Sequence, residues 1–488
     1  MKKNKAFKIH SVKFNFLMNI ILTMSGFIFP LITFPYVSRV LGPAPNGKIA
    51  FATAVINYFS LFAAMGIPSY GVRKVAEVRD NSKELNRVVN ELLIINTIFT
   101  LISYIGLIIL IILVPQFREN SLLIEITSIS IIFTTFGVDW FYQGIEQYEY
   151  ITVRNIAFKI VAIILMFIFI HNPDDYILYA GITVFANVGS NILNIINLRK
   201  YINLKIERNY KFFYHLKPIF LLFLYTATTT IFTNLDQVML GFMTNNVEVG
   251  YYSASVKIKN ILTSVITSLG AVALPRITYY LSKNAQGEFK SLIIKSFNFI
   301  FLISIPIAIY FTIEAKPIIL FIAGAEYGRA AIMLQFIMPS IIFIGLSSVT
   351  AWQLLIPLKM EIWTVIAAII GAAVNLVLNI VLIPKMGGVG TAIATDFAEF
   401  SVLITQCFAI RKRLSGMIDF TELIKSIISS LISLIILIFS FNFINIKSNF
   451  MICMLSAIIF FCIYFVTLLI FREKLISQYL KEIITRNK

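Results

Sequence analysis

Residues 89–114 read VNELLIINTIFTLISYIGLIILIILV, and the length of this run decides the fold. A hydrocarbon core of about 30 Å takes roughly 20 apolar residues in helical form. With no water there to satisfy peptide groups, a helix closes its own hydrogen bonds on the way across. Working outward, the same reading predicts helices near residues 14–40, 46–72, 121–144, 151–171, 176–198, 218–243, 249–282, 288–313, 331–356, 361–383, 388–410, 420–446 and 450–471. The expected fold class is an all-α polytopic membrane protein with 14 transmembrane helices.

Composition agrees. The chain is 58% hydrophobic and 13% charged, against about 45–50% and about 25% in soluble proteins. Its net charge of +17 therefore needs a membrane explanation first. Of 41 Lys and Arg, 32 fall on the termini and on every second connection, seven on the opposite side, and Lys257 and Lys259 lie inside a helix. By the positive-inside rule both termini are expected to be cytoplasmic. The longest polar connection, Arg199 to Lys217, has no room for a basic nucleic-acid-binding domain. Cys407, Cys453 and Cys462 show no CxxC spacing and read as small packing residues. The first apolar run is too long for a signal peptide and lacks a small-residue cleavage site, so it is expected to stay as the first helix.

A shift of 203 residues superposes Gly47 on Gly250, Asn57 on Asn260 and Arg73 on Arg276. Six helices separate the copies, which makes them parallel repeats about an axis along the membrane normal. The expected organisation is residues 1–205 for helices one to six, 206–415 for seven to twelve, and 416–488 for the last pair and tail. Pro30, Pro35, Pro68, Pro275, Pro306 and Pro339 are expected to bend their helices.

The segment from Gly42 to Lys48 copies most of a phosphate-binding loop, but Ile49 replaces the required hydroxyl residue and no strand precedes it. It reads as a tight turn with Gly47 as its conformationally permissive residue. His10, His171 and His215 are scattered over a tail, a helix end and a connection, with no metal or triad logic linking them.

Ionisable groups within membrane helices cost about 2.5–3.5 kcal/mol on insertion scales and mark cavities or paired sites. Here these are Asp139, Asp236, Lys257, Lys259, Asp396 and Glu399. Asp236 ends a polar stripe that includes Thr229, Thr233 and Gln237; Asn375 with Asn379, and Thr391 with Thr395, repeat i, i+4 spacing. Such a set suits either a sodium ion or proton or a hydrogen-bonded interhelical cluster. Lys257 and Lys259 suit an anionic substrate, or snorkelling, or pairing with Asp236.

The runs Pro35–Gly42, Asp139–Asn155, Leu235–Gly241 and the stretch opening at Gly250-Tyr-Tyr-Ser resemble the Wzx-type polysaccharide flippases of the multidrug/oligosaccharidyl-lipid/polysaccharide (MOP) exporter superfamily. The resemblance implies two six-helix lobes in a V around a cationic cavity, plus two C-terminal helices. It implies movement of undecaprenyl-pyrophosphate-linked oligosaccharide repeat units across a bacterial cytoplasmic membrane, with no covalent chemistry and no cofactor beyond a coupling ion, sodium or proton. By the same resemblance, Asp236, Asn375, Asn379, the Thr391 carbonyl and Thr395 would hold that ion; Asn379 departs from the carboxylate that sodium-binding relatives carry. Arg39, Arg73, Lys257, Lys259 and Arg276 are the cationic candidates for the head group, with Asn57, Asn260, Asp139, Asp396 and Glu399 as further buried polar candidates. Polysaccharide polymerase and chain-length regulator proteins are the implied partners. The alternatives are a cation-coupled drug exporter of the same superfamily and a membrane polymerase or ligase of lipid-linked sugars, against which the short outer connections argue.

Overall fold

A computed structural model describes residues 10–203, 210–283, 285–414, 416–442, 446 and 448–478, with side chains at 225 and 269–275 left undescribed. Among these residues the secondary structure is helical throughout. The principal helices are α1 Val12–Leu41, α2 Pro43–Val78, α3 Ser82–Leu113, α4 Ser121–Gly144, α5 Tyr148–Phe169, α6 Pro173–Leu198 and α7 Phe212–Met243. There follow α8 Asn246–Ser282, then α9 Gln286–Ile313, α10 Ala330–Leu355, α11 Ile362–Met386, α12 Gly388–Ala409, α13 Phe420–Phe441 and α14 Asn449–Ile470. Thirteen of these are long and apolar enough to cross a membrane. The α8 helix is 37 residues long and is not among those thirteen, so the expected count of 14 rests on it. Lys2, Lys3, Lys5, Lys8, Lys205, Arg208, Lys447, Lys481, Arg486 and Lys488 of the topology count lie outside the described residues, as does the side chain of Pro275.

The chain forms two compact units, Met1–Gly250 and Tyr251–Lys488. Within the first unit α7 packs along α2, and within the second α13 packs on α9.

Helix α2 is broken. Its first piece ends at Ala64, Met65 and Gly66 take left-handed backbone, and a second piece runs Ile67–Val78. Pro68 therefore starts a helical piece, where its missing N–H costs nothing, instead of bending an interior. Pro30, Pro35 and Pro306 do lie inside helices, whereas Pro339 sits at the junction between two pieces of α10. Single π-turns interrupt α6 at Phe185–Gly189 and α10 at Thr350–Leu355.

The expected turn residue needs correcting. The positive φ of +72° between α1 and α2 belongs to Gly42; Gly47 is helical and is required for space. A Cβ on Gly47 would stand 1.7 Å from the Asn246 carbonyl oxygen, and one on Gly250 would stand 2.0 Å from the Pro43 carbonyl oxygen. Pro43 and Asn246 are themselves 203 residues apart, as are Gly47 and Gly250. Each member of one pair thus meets its opposite in the other. A like cap closes α4 and α10. Glu146 (φ 59°) and Lys359 (φ 58°) both take left-handed backbone. The N–H after each reaches back to Tyr142 and Leu355 respectively, both at 2.8 Å, the geometry of a Schellman cap.

Outside the membrane spans, Asp419 caps α13 by accepting the Thr421 N–H at 3.2 Å. A hydrogen bond from the Lys474 ammonium holds its carboxyl below the ordinary carboxylate range.

Candidate functional site

In the first unit, Asp236 lies on α7 and is 7% exposed, within Coulombic reach of Tyr58 on α2. Asn57 donates to Asn234 Oδ1 at 2.9 Å, and the Tyr58 hydroxyl donates to the Ile231 carbonyl at 3.2 Å. Of the polar stripe expected on α7, Thr229 and Thr233 are exposed, with Thr233 folded back onto the Thr229 carbonyl at 3.0 Å. Arg39 and Arg73 are exposed on α1 and α2.

Asp139 belongs to a different cluster. Arg154 on α5 donates to Asp139 Oδ1 at 2.7 Å, to the Ser190 carbonyl at 2.7 Å and to Asn191 Oδ1 at 3.0 Å. Asn194 adds a bond of 2.7 Å to the same Asp139 oxygen. The Arg154 side chain is 2% exposed, so a buried guanidinium is paired and hydrogen-bonded as burial requires. The cluster staples α4, α5 and α6 together and has the character of a structural joint.

In the second unit, α11 and α12 pack backbone to backbone: a Cβ on Gly390 would lie 2.6 Å from the Leu382 carbonyl oxygen. Between them Asn379 donates to Asn375 Oδ1 at 3.0 Å, and both are buried. Thr395 donates to the Thr391 carbonyl at 3.0 Å, and its hydroxyl is 3.0 Å from that of Tyr252. Asp236 belongs to the first unit and Asn375, Asn379, Thr391 and Thr395 to the second.

Lys257 and Lys259 on α8 are half-buried, while Asn260 and Arg276 are exposed. Asp396 on α12 lies near the Ser340 backbone N–H and within Coulombic reach of Lys259 and Glu399; its Oδ1 is buried without a hydrogen-bond partner. The second unit therefore gathers a lysine and two carboxylates from α8 and α12. Sequence spacing could not show this pairing, because 137 residues separate Lys259 from Asp396.

The model of the family described as "Polysaccharide biosynthesis protein" matches residues 12–281 of the 488. The chain belongs to the polysaccharide biosynthesis protein family. This family member is 25% identical over 411 residues to a protein of Shigella dysenteriae named "Putative O-antigen transporter", covering 82% of this chain and 100% of the relative. A protein of the same name from Escherichia coli (strain K12) is 25% identical over 335 residues, 68% of this chain and 80% of its own length. In fold, the family member is similar to the lipid II flippase MurJ in its inward closed conformation, with a TM-score of 0.72, 19% identity, and coverage of 94% of this chain and 100% of MurJ. An inward-facing MATE multidrug transporter of the MOP superfamily follows at a TM-score of 0.60, 13% identity and 83% and 98% coverage. The chain is a multi-pass membrane protein, and these two relatives carry a transporter name.

One buried constellation in this polysaccharide biosynthesis protein was not foreseen. His215, expected in a connection, lies in the first turn of α7 and is 1% exposed. It joins Tyr70 of α2 at 2.7 Å and Glu91 of α3 at 2.7 Å. The signal available in sequence was Glu91, an acid inside an apolar run.

Proposed function

We propose that this chain is a flippase for lipid-linked polysaccharide precursors. It carries undecaprenyl-pyrophosphate-linked oligosaccharide repeat units from the inner to the outer leaflet of the bacterial cytoplasmic membrane, with both termini cytoplasmic. A pyrophosphate and its sugars cannot cross hydrocarbon unaided, while a polyprenyl tail can stay in lipid. Membership of the polysaccharide biosynthesis family carries this reading. The half-buried cations Lys257 and Lys259 on a membrane helix support it, because such charges are costly there unless they meet a polar or anionic partner. Polymerase and chain-length regulator proteins are the partners this role calls for.

The test is reconstitution in liposomes with a lipid-linked oligosaccharide, following the head group on the far face with and without ion gradients. Head-group transfer is expected; a folded protein that moves none under any gradient rejects the reading. Lys257→Gln with Lys259→Gln is expected to weaken head-group binding on the order of tenfold or more, since each removes a charge-assisted contact. Unchanged binding in the double variant would remove these lysines from the site.

Transport is proposed to be ion-coupled through Asp236, by alternating access. Asp236→Asn keeps the shape and removes the charge, so downhill movement should persist while its dependence on an ion gradient disappears. Asn379 removes the second carboxylate of a sodium site, which favours a proton over sodium as the coupling ion. A drug exporter is the second reading, favoured by the likeness in fold to MATE transporters; it predicts export of hydrophobic cations and no head-group transfer.

A further inference from the structure

We propose that Glu91, His215 and Tyr70 form a proton-binding site that clasps the beginning of α7 to α2 and α3. The three side chains are 1%, 1% and 6% exposed. With a neutral imidazole every valence is used. The Tyr70 hydroxyl donates to His215 Nδ1 at 2.7 Å, and Nε2–H donates to Glu91 Oε2 at 2.7 Å. The other Glu91 oxygen accepts the Lys211 backbone N–H at 2.5 Å and has Arg87 Nε at 3.9 Å.

One proton more reverses part of this chain. An imidazolium donates from both nitrogens, so the Tyr70 oxygen must turn from donor to acceptor and its hydrogen loses its acceptor. Both bonds of the ring then become charge-assisted, and the Tyr70 hydrogen has to turn to another acceptor.

The donor set selects a proton over a metal ion. Hard cations want six or more oxygens, whereas here one carboxylate oxygen is held by a backbone N–H and the other two groups are an imidazole and a phenol. It also has no catalytic outlet, because the Tyr70 hydroxyl is turned to the imidazole and away from any reacting group.

The neighbouring charges leave His215 as the uncommitted member. On α2, Lys74 is paired with Glu77 at 2.9 Å and lies 5.3 Å over the Tyr214 ring; Arg73 acts on Tyr70 through space. On α3, Arg87 pairs with Glu84 at 3.4 Å. On α7, Lys211, Tyr214 and Lys217 flank the histidine, and Lys205, Glu207 and Arg208 of the preceding connection lie outside the described residues.

What the clasp holds gives it a consequence. The break at Met65–Gly66 makes Ile67–Val78 a separate helical piece. Its grip on α7 is Gly66, where a Cβ would lie 2.5 Å from the Ile219 carbonyl oxygen, together with Tyr70–His215 and Lys74–Tyr214. Reversing the Tyr70–His215 bond turns the Tyr70 hydroxyl and so alters how this piece meets α7, the helix that carries Asp236 21 residues further on, about 30 Å along its axis.

The proposal rests on the coupled-transport reading only for its transport arm. In a His10→Asn, His171→Asn background, His215 is the only histidine, and nitrogen-15 NMR of the chain in lipid vesicles reads its protonation directly. A neutral, Nε2-protonated ring that becomes an imidazolium as the medium is acidified supports the site; one unchanging state over the whole range in which the chain stays folded overturns it. In proteoliposomes with a lipid-linked oligosaccharide, His215→Gln retains a donor for Glu91 and an acceptor for Tyr70. It should stay folded yet flatten the pH profile of transfer and cut accompanying proton movement about tenfold or more, whereas a wild-type profile overturns the proposal. If the wild-type chain transfers nothing, the flippase reading fails and the NMR result still decides the proton site.

Discussion

Arg154→Leu is expected to cost on the order of 1–3 kcal/mol of stability, the penalty for leaving buried acceptors without their donor. The guanidinium serves Asp139, Ser190 and Asn191 at once, so leucine would leave a carbonyl and an amide without their donor and a carboxylate with Asn194 but no cation. The same junction holds Val138, at φ 44° and ψ 36°, in a left-handed conformation costing about 1–3 kcal/mol for a residue of this kind. The network offsets that strain, and without it the kink between Gly137 and Asp139 should relax. Arg154→Lys keeps the charge but not the planar fork, and should fall between wild type and leucine. Asp139→Asn should be milder, because its side chain is 41% exposed and an amide oxygen can still accept. Thermal unfolding in detergent followed by fluorescence-detected size exclusion measures the order; an Arg154→Leu protein that melts with wild type would show that the network contributes no net stability.

The second large effect is expected at the paired glycines. A methyl group at position 47 would meet backbone atoms of Asn246 at 1.7 Å and 2.7 Å, and Gly250 N at 2.8 Å. No side chain can turn aside to relieve this, so Gly47→Ala must push α2 and the start of α8 apart. Overpacking of this kind costs typically about 1–3 kcal/mol, and occasionally more. Gly250→Ala meets Pro43 in the same way. Once one substitution has opened the gap, the other has less to displace. The double variant should therefore lose less than the two single losses combined, a coupling that a double-mutant cycle reads directly. Strict additivity would show that the two glycines occupy independent contacts.

How much of this was legible in the sequence follows from what kind of force sets each feature. The spans were readable because hydrocarbon leaves a backbone few choices, and the boundaries of α9 and α12 fall within a few residues of their apolar runs. The start of α7 was misplaced at residue 218 because Lys211, His215 and Lys217 look like a polar connection. What buries His215 is Glu91, 124 residues away, and no local pattern carries that information. The break in α2 was announced by Gly66 and Pro68, yet Met65 shares the left-handed backbone with nothing in its chemistry to mark it. Gly47 was singled out correctly and for the wrong reason: its helical backbone needs no special freedom, and the room it makes is for a residue about 200 positions on. In the candidate site, the i, i+4 pairs Asn375/Asn379 and Thr391/Thr395 were readable from spacing, whereas the gathering of Asp396 with Lys259 and Glu399 required the fold.

Buried serines give the last pair of helices a different standing from their position at the end of the chain. Ser426, Ser429, Ser430 and Ser433 line the covered face of α13. Between α14 and α9, the Tyr310 hydroxyl meets the Cys453 carbonyl at 2.9 Å and the Ser456 hydroxyl at 3.0 Å, and Tyr464 donates to the Leu302 carbonyl at 2.8 Å. In lipid, such small and polar contacts hold helices together where the hydrophobic effect cannot. A chain truncated before α13 would turn the Tyr310 phenol and its neighbours out to hydrocarbon, so shortened versions of this protein should be sought only by replacing that face, never by simple deletion.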